Sequence, residues 1–470
     1  MKKRNLVGCI CGVLLIVITA VFLFTLNKIN AIPDNYFKII LIGVSIVTVI
    51  TSIILFLNVN SISFKVLKVL SYIVTIILIF GYSFGMIYLN KTLHFIGNIE
   101  SIKKEVTSYY VVVLKDSKYE EISDLYGKTM LYYINTDEDV LSKLKLELIY
   151  STTKNIEQLK DKLYTKKVES ILISDLIKED LEDKYEDFSS KTRILQTIDI
   201  TKEVEDITKK VSIKNTAFNV LISGMDSYGN INKTTRNDVN MVVTINPNTN
   251  KLLLTSIPRD YYVQLHGKKG YKDKLTHAGI YGINTAVQTI EDLFNIDINY
   301  YVKVNFTTVV DLVDKIGPIE IYSDKDLNLD GCKYVVGNNA VNGKCALRFA
   351  RERHSYLEGD NHRVKNQQEV IKGIFNKLKS SPNILADYNS VLEVMNGKFA
   401  TNIEMSELTS FIKYEVEDIG KYEILSTQVD GMGSMEYTYS YPHQKLYVMF
   451  PNEQSVSNAK EGIEKILNGE

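Results

Sequence analysis

Arginines are concentrated in one stretch of the 470-residue chain, RFARERHSYLEGDNHRVKNQQ, at positions 348–368. Arg351 and Arg353 are two residues apart, so in an extended segment their side chains would leave the same face. Arg363 and Gln367 share one face of the helix that the following apolar spacing predicts. Guanidinium groups can bind two phosphate oxygens at once, and helix N-termini attract anions. The stretch predicts a receptor for a phosphate or diphosphate, with ordinary surface ion pairs as the alternative.

A second set of charged residues falls at the ends of three predicted strands. The segment FNVLISGMD ends in Asp226, and TTRNDVNMVV brings Arg236 and Asp238 to the start of the next strand. The third strand, KLLLTSIPRD, ends in Arg259 and Asp260. Each residue could simply form a turn, a cap or a local salt bridge. Ligand sites are common at strand ends in α/β sheets, and the coincidence of so many charged residues favours such a site.

Two carboxylates are candidates for the proton acceptor that an attacking hydroxyl would need, Asp360 and Asp260. Asp360 is equally suited to cap the helix that begins near it, and Asp260 could pair with its neighbour. His354 and His362 lie in the arginine-rich stretch, but the six histidines have no metal-ligand spacing. Neither G-x-S-x-G nor H-E-x-x-H occurs, so a serine triad and zinc hydrolysis have no support.

Composition limits the classes of partner. The net charge is −1 with 24% charged residues, so the arginines do not belong to a generally basic surface, and duplex nucleic acid is not expected as a partner. Cys9 and Cys11 lie in an apolar run and are expected to pack as small hydrophobic residues. Cys332 and Cys345 flank the loop KYVVGNNAVNGK. A disulfide between them would contribute about 3 kcal/mol and would require a compartment outside the cytosol.

Three apolar runs open the chain, and each is long enough to cross a membrane as a helix. They are Leu6–Leu26, Tyr36–Leu57 and Val66–Leu89. A cleaved signal peptide is the alternative for the first run, but two further runs follow and no clear cleavage site is present. We therefore predict a membrane anchor at residues 1–92.

Basic residues predict the orientation of this anchor. Lys2, Lys3 and Arg4 precede the first run, and Lys65 and Lys68 open the third, which places both ends in the cytoplasm. Everything after the third run would then be extracytoplasmic. Residues 100–213 alternate strand-like and helix-like segments without a catalytic constellation, which predicts a small accessory α/β domain. Residues 214–470 would form the chemical domain.

The motifs of this last domain resemble a known family. In order they are GMD, RNDVNMVVTINP, IPRDYYV, KLTHAGIYG, YYVKVNF, VNGKCALRFARERH and GDNHRVKNQQ. Their sequence and spacing resemble the LytR-CpsA-Psr cell-wall glycan phosphotransferases over residues 214–467. The resemblance implies an α/β domain with a central mixed sheet flanked by helices. It also implies a hydrophobic tunnel for a polyprenyl tail, which periodicity alone does not show.

The resemblance further implies an activity, which is transfer of a glycan phosphate from a polyprenyl pyrophosphate carrier to a peptidoglycan hydroxyl. Asp226 and Asp238 would hold Mg²⁺, or Mn²⁺ in its place. The residues expected at the pyrophosphate are Arg236, Arg259, Arg351, Arg353, Arg363, Gln367 and Lys274. The expected catalytic residues are Asp238, Arg259, Asp360 and Asp260. The alternatives are a polyprenyl-pyrophosphate hydrolase, with water as the acceptor, and a non-catalytic membrane regulator that binds the carrier lipid.

Tyrosines are frequent near the C-terminus. Tyr437, Tyr439 and Tyr441 alternate along one segment, where they could stack on sugars. An exposed strand rich in tyrosine is common, so this interpretation stays secondary to a structural role.

Overall fold

The computed structural model of the chain describes residues 6–29, 34–58, 61–98, 102–144, 147–225, 230–357, 359–380, 398–404, 407 and 422–470. Three long helices come first: α1 (Leu6–Ile29), α2 (Asp34–Phe56) and α3 (Ile62–Asn98). Their membrane-length parts are Leu6–Lys28, Phe37–Phe56 and Ile62–Ile87. Most of their large apolar side chains are exposed, as expected of helices that face lipid. The predicted three-helix anchor is therefore present.

The accessory domain is built on a five-stranded sheet. Its elements are β1 (Lys104–Leu114), β2 (Thr129–Tyr133), α4 (Glu138–Leu144), β3 (Ile149–Thr153), α5 (Ile156–Tyr164), β4 (Ser170–Ser174), α6 (Asp175–Lys184), α7 (Phe188–Lys191) and β5 (Thr192–Glu203). The strand order is β3-β2-β4-β1-β5, with β2 parallel to β3 and β4, and β1 antiparallel to both its neighbours. Leucine, isoleucine and valine side chains fill both faces of the sheet.

A six-stranded mixed sheet forms the centre of the second domain. Its strands are β6 (Phe218–Met225), β7 (Asn237–Asn246), β8 (Lys251–Ile257), β11 (Tyr300–Asn305), β16 (Phe399–Thr401) and β17 (Glu423–Gln428). The order is β16-β11-β6-β7-β8-β17. Strands β6 and β11 are parallel, as are β8 and β17, whereas β7 is antiparallel to both its neighbours. The predicted α/β domain with a central mixed sheet is confirmed.

Helices cover both faces of this sheet, and short hairpins surround it. The helices are α8 (Ile283–Phe294), α9 (Phe306–Ile316), α10 (Gly343–Arg351), α11 (Asp360–Ser380) and α12 (Glu453–Asn468). The short strands are β9 (Tyr262–Val263), β10 (Asp273–Lys274), β12 (Ile319–Ser323), β13 (Leu327–Leu329), β14 (Cys332–Tyr334), β15 (Gly337–Val341), β18 (Gly431–Tyr437) and β19 (Lys445–Pro451). One apolar cluster packs α8 and α12 against the sheet, and a second lies on the opposite face with α11.

The two domains are joined by buried polar contacts. Lys303 on β11 is 2% exposed, and its ammonium lies 3.3 Å from the carboxylate of Glu105 on β1. Glu105 also accepts a hydrogen bond of 3.1 Å from the backbone N–H of Ile283, at the start of α8. Burial lowers the pKa of Lys303, while the charge of Glu105 opposes this shift. A charge pair buried between two domains favours one relative position, because a shift of the closed interface would leave a buried charge without its partner.

Candidate active site

Asp238 lies at the centre of the predicted site. It is the second residue of β7, and Arg259 follows the end of the neighbouring antiparallel strand β8, so both lie at one edge of the sheet. An Nη1 atom of Arg259 lies 2.9 Å from Oδ2 of Asp238, and Thr276 donates a hydrogen bond of 3.2 Å to Oδ1. Arg363 from α11 approaches the same carboxylate to 3.9 Å. Three distant parts of the chain therefore meet at one buried carboxylate.

The electrostatics of Asp238 follow from these neighbours. Burial opposes ionisation of its carboxyl, but the positive charges of Arg259, Arg363 and Arg236 outweigh this effect and lower its pKa below the ordinary range. Asp238 is therefore a carboxylate at any physiological pH. A group that holds a proton so weakly cannot serve as a general base, but it is well suited to balance arginines or to bind a cation.

Arg351 ends helix α10, which corrects the expectation of an extended segment. Ala346, Leu347 and Phe349 are buried on one side of this helix, and the side chain of Asn342 caps it by accepting a hydrogen bond from the N–H of Cys345. Helical packing therefore outweighs the two-residue spacing on which the extended prediction rested. A Cβ atom on Gly343, the first residue of α10, would lie 2.2 Å from the carbonyl oxygen of Val310, so only glycine allows this close approach to α9.

The arginines line a polar pocket of about 410 Å³, which we call the arginine pocket. It is lined by Arg259, Arg348, Arg351, Arg353 and Arg363, together with Asp183, Asn328, Leu329, Asp330, Glu352 and His354. Five guanidinium groups around one cavity make a site for a multiply charged anion. Four of the five were predicted from the sequence.

A second pocket, of about 270 Å³, adjoins the first, and we call it the apolar pocket. Aliphatic side chains from β6, β11, α9 and α11 form most of its wall, including Ile222, Val304, Leu312 and Ile374. Asp238, Arg351, Arg363 and Gln367 also line it. Arg351 and Arg363 are shared with the arginine pocket, so they mark the junction of the two. The guanidinium of Arg351 lies 4.6 Å from the ring centre of Phe306, another residue of the apolar wall.

The structure places Arg236 differently from the other predicted arginines. Its guanidinium contacts three carboxylates on α6 of the accessory domain, Glu179 at 2.8 Å, Asp180 at 3.2 Å and Asp183 at 3.1 Å. Burial disfavours its charge, but these carboxylates raise the pKa of Arg236. Burial also raises the pKa of Glu179, to about 7, against the opposing charge of Arg236. Arg236 does not line the arginine pocket and instead joins the two domains beside it.

Asp260 and Lys274 form a pair at the edge of the site. Their charged atoms lie 2.5 Å apart, and Arg259 approaches Asp260 to 3.8 Å. Burial of Asp260 opposes its ionisation, but the charges of Lys274 and Arg259 lower its pKa. A carboxylate held in this way is a poor proton acceptor, and neither member of the pair lines the arginine pocket. The geometry favours a role in orienting Arg259.

The other candidate carboxylates lie partly or wholly outside the described residues. Asp226 follows β6 and belongs to the segment that is not described. Asp360 begins α11 as predicted, but its side chain is not among those described.

The two histidines of the arginine-rich stretch have different surroundings. His354 lines the arginine pocket, and its ring Nε2 lies 3.4 Å from Nε of Arg353. His362 is buried, stacks on Tyr356 with 3.4 Å between ring centres, and is 2.8 Å from Asp324.

Sequence reasoning missed several contributors to the arginine pocket, of which Arg348 and Asp183 carry charges that bear on its chemistry. Arg348 lies in the predicted stretch but was given no role, although helical periodicity from Arg351 places it on the same face, one turn earlier. Asp183 comes from the accessory domain, where charges of both signs alternate as on any solvated surface. No sequence signal indicates that α6 reaches the site of another domain.

A disulfide joins Cys332 on β14 to Cys345 on α10. It closes the loop that contains β15 and ties the helix that carries Arg348 and Arg351 to the β13–β14 hairpin. Because that hairpin supplies Asn328, Leu329 and Asp330 to the arginine pocket, the bond holds two of its walls together.

Comparisons with known proteins identify the family of this chain. A model of the LytR_cpsA_psr family matches residues 185–456. The polyisoprenyl-teichoic acid–peptidoglycan teichoic acid transferase TagU of Enterococcus faecalis is 30% identical over 281 residues, which cover 58% of this chain and 89% of the relative. The enzyme of that name from Bacillus anthracis is 31% identical over 254 residues, covering 54% and 80%.

Solved structures also resemble this chain over part of its length. The crystal structure of B. subtilis TagU has 28% identity and a TM-score of 0.42, covering 54% of this chain and 97% of its own. That of B. subtilis TagV has 26% identity and a TM-score of 0.45, covering 54% and 98%. The sequence matches decide the assignment. Since the family model covers more than half of the chain, the protein belongs to the LytR_cpsA_psr family.

Proposed function

We propose that this protein transfers a glycan, together with one phosphate, from a polyprenyl pyrophosphate carrier to a hydroxyl of peptidoglycan, releasing polyprenyl phosphate. The observation that carries the proposal is the junction of the arginine pocket and the apolar pocket at Arg351 and Arg363. One cavity suits a diphosphate and the other an apolar chain, and a polyprenyl diphosphate contains both in sequence. The names of the curated relatives, which are transferases of teichoic acid to peptidoglycan, support the same reaction.

In the proposed reaction the acceptor oxygen attacks the phosphorus atom nearer the sugar. A new P–O bond forms, the bond from that phosphorus to the bridging oxygen breaks, and polyprenyl phosphate leaves with the electron pair. Negative charge grows on the leaving phosphate, so cations placed in advance lower the barrier. Arg259, Arg351, Arg353 and Arg363 supply these charges. Asp360 is the proposed acceptor of the hydroxyl proton, because Asp238 and Asp260 bind protons too weakly.

A divalent cation is part of the proposal. Among the described residues no group of three or more His, Cys, Asp or Glu could hold a metal. Mg²⁺, however, commonly binds through one or two carboxylates plus substrate phosphates and water, and Asp238, whose pKa is lowered by the neighbouring arginines, fits that pattern. Asp238 would hold the ion, with Asp226 as the second proposed ligand. When bound, Mg²⁺ or Mn²⁺ would neutralise charge on the diphosphate.

We propose that both C-terminal domains lie on the outer face of the cell membrane. Two observations support this side. The basic residues that precede α1 and open α3 favour a cytoplasmic N-terminus. The Cys332–Cys345 disulfide is typical of proteins outside the cytosol. Both substrates, a membrane-borne carrier and the cell wall, are also accessible there.

Reconstitution tests the function. Full-length protein in detergent is mixed with a polyprenyl pyrophosphate-linked glycan, peptidoglycan and Mg²⁺, and glycan bound covalently to peptidoglycan is measured together with released polyprenyl phosphate. We expect both products, with Arg353→Ala reducing the rate about 100-fold, as for loss of one preorganised charge. Lys344→Ala is the control, because this exposed residue lies on α10 outside both pockets. Release of soluble glycan phosphate without attachment would instead identify a hydrolase, and binding without turnover a regulator.

A further inference from the structure

A third cavity, of about 550 Å³, lies between the accessory domain and the catalytic domain, and we call it the interdomain cleft. Tyr109 and Tyr133 line it from the accessory sheet, and Tyr271, Tyr281 and Tyr439 line it from the catalytic domain. Its size falls within the range of about 300–1,000 Å³ that is usual for sites of small organic ligands. Neither domain alone forms the cleft, so it exists only because the buried contacts described above hold the domains together.

The lining chemistry of this cleft differs from that of the other two pockets. Lys269 is its only charged lining residue among those described, so it lacks the arginines that a phosphate would need. Tyrosine rings and small hydroxyl or amide side chains, such as Thr107, Asn135 and Ser174, make up most of its lining, whereas aliphatic side chains form most of the apolar pocket. A ligand that matches this lining has apolar C–H faces and many hydroxyl groups, which is the chemistry of a pyranose sugar.

Ring contacts hold the tyrosines of the cleft in place, and the ammonium of Lys268 lies 4.5 Å from the ring centre of Tyr281. Tyr271 is 50% exposed, and its ring lies 5.9 Å from that of Tyr437 with an angle of 37° between them. Tyr281 and Tyr439 meet edge to face at 5.6 Å, and the hydroxyl groups of Tyr281 and Ser440 are 2.9 Å apart. These contacts fix ring orientations before any ligand arrives, which reduces the entropy lost on binding.

Helix α6 connects the cleft to the reaction centre. Leu176 and Ile177, in its first turn, line the interdomain cleft, whereas Asp183 near its end lines the arginine pocket. Ile177 and Asp183 are six positions apart, or about 9 Å along the helix axis. Tyr441, which also lines the cleft, donates a hydrogen bond to Asp180, the residue that pairs with Arg236. The cleft and the arginine pocket are therefore both lined by α6, at its opposite ends.

We infer that the interdomain cleft is a subsite for an oligosaccharide of pyranose sugars, which places the glycan chain beside the diphosphate. The inference rests on the proposed function, because it assigns the cleft to a substrate of that reaction. The sugars could come from the donor glycan or from the peptidoglycan acceptor, and both present the same chemistry to the tyrosines. The accessory domain then contributes directly to substrate binding.

Binding of lipid-free ligands tests this inference separately from the transfer reaction. Full-length protein in detergent is titrated by calorimetry with two probes, phosphate-free cell-surface polysaccharide fragments and glycan strands from amidase-treated peptidoglycan, which lack stem peptides. We expect saturable binding of at least one probe, and the one that binds identifies the source. Tyr271→Ala and Tyr439→Ala should each weaken it about tenfold, which corresponds to about 1.4 kcal/mol.

Two further variants test whether a loss of binding is specific to the cleft. Tyr126→Ala is the matched control, because Tyr126 is 49% exposed but does not line the cleft, and its affinity should be unchanged. Asn135→Trp keeps the tyrosines but fills the cleft, and it should abolish binding without altering the thermal unfolding midpoint. Absence of binding of both probes by the wild type, or equal binding by all variants, would overturn the inference. None of these results depends on whether the protein cleaves a lipid diphosphate.

Discussion

Replacing Asp238 by asparagine should separate diphosphate binding from turnover. The carboxylate lies 2.9 Å from Arg259 and 3.9 Å from Arg363, which at an effective dielectric constant of 20 corresponds to gross attractions of about 6 and 4 kcal/mol. Desolvation cancels much of this, and loss of one partner of a buried ion pair typically costs about 3–5 kcal/mol of folding stability. The unliganded variant should therefore unfold more easily, because the arginines lose their counter-charge.

Diphosphate binding should respond in the opposite direction. In the wild type the carboxylate repels an incoming diphosphate, and at about 6 Å and an effective dielectric constant of 20 the repulsion from one phosphate charge is about 3 kcal/mol. If half of it survives screening, Asp238→Asn should bind a polyprenyl diphosphate about tenfold more tightly in the presence of a chelator. Glycan transfer should nevertheless fall at least about 100-fold, since a neutral amide is a poorer ligand for Mg²⁺ than a carboxylate.

The assay measures diphosphate affinity with and without Mg²⁺, alongside the transfer rate. Mg²⁺ should strengthen binding by the wild type and have little effect on the Asp238→Asn variant. Asp330→Asn is the matched control, because Asp330 also lines the arginine pocket but is 67% exposed and pairs with Arg348 at the surface. Weaker binding by Asp238→Asn without metal, or transfer at the wild-type rate, would refute the reasoning.

Three further changes have definite expected outcomes. Replacing Cys332 and Cys345 by alanine should lower the free energy of unfolding by about 3 kcal/mol, as measured with denaturant, because the reduced loop regains chain entropy. Burial raises the pKa of Glu179 from 4.5 to about 7, so the folded state binds the proton more tightly than the unfolded state does. Stability should then fall by up to about 3 kcal/mol as pH rises across this window, and Glu179→Gln should remove this dependence in thermal unfolding. Ile374→Trp should fill the apolar pocket and raise KM for long-chain donors, but not for a short-chain prenyl donor.

Each of these changes has its own control. Reducing agent should reproduce the effect of the double cysteine variant in the wild type and equally in a Cys9→Ala variant, which keeps the disulfide, whereas insensitivity of the wild type to reductant would contradict the assignment. Glu182→Gln, on the same helix as Glu179, should leave the pH profile unchanged. For Ile374→Trp, an equal loss with short and long donors would show that the pocket does not hold the lipid chain.

Local patterns in the sequence were sufficient for part of this architecture. The three membrane helices, the helix that begins at Asp360 and the strand ends that carry Asp238 and Arg259 all follow from apolar periodicity and turn residues. The conformation around Arg351 was predicted wrongly, because a two-residue spacing of arginines says less about the backbone than the buried residues beside them. The periodicity of apolar residues shows which side of a helix faces a core. Because α10 is short, its apolar pattern is easily overlooked.

The partners of Arg236 could not be predicted from the sequence, for a different reason. These partners lie more than fifty positions before Arg236, on one helix whose charged residues look like those of a solvated surface. They are Glu179, Asp180 and Asp183, and only the contact between the domains brings them to Arg236. The interdomain cleft has the same origin, since its tyrosines come from both domains. Long-range contacts of this kind depend on how the two domains are oriented. The alternation of polar and apolar residues along the sequence carries no information about that orientation.

The position of Asp238 explains how so many arginines can lie together before substrate binds. Guanidinium groups at one cavity repel each other, and burial adds to this cost, so an unliganded arginine pocket requires an internal anion. Asp238 provides that charge to Arg259 and Arg363, while the carboxylates of α6 provide it to Arg236. In the proposed reaction an arriving diphosphate would bring its own negative charge, which would release Asp238 from this role and make its oxygens available to the proposed cation. The same carboxylate would thus stabilise the arginines before the substrate binds and take part in the site afterwards.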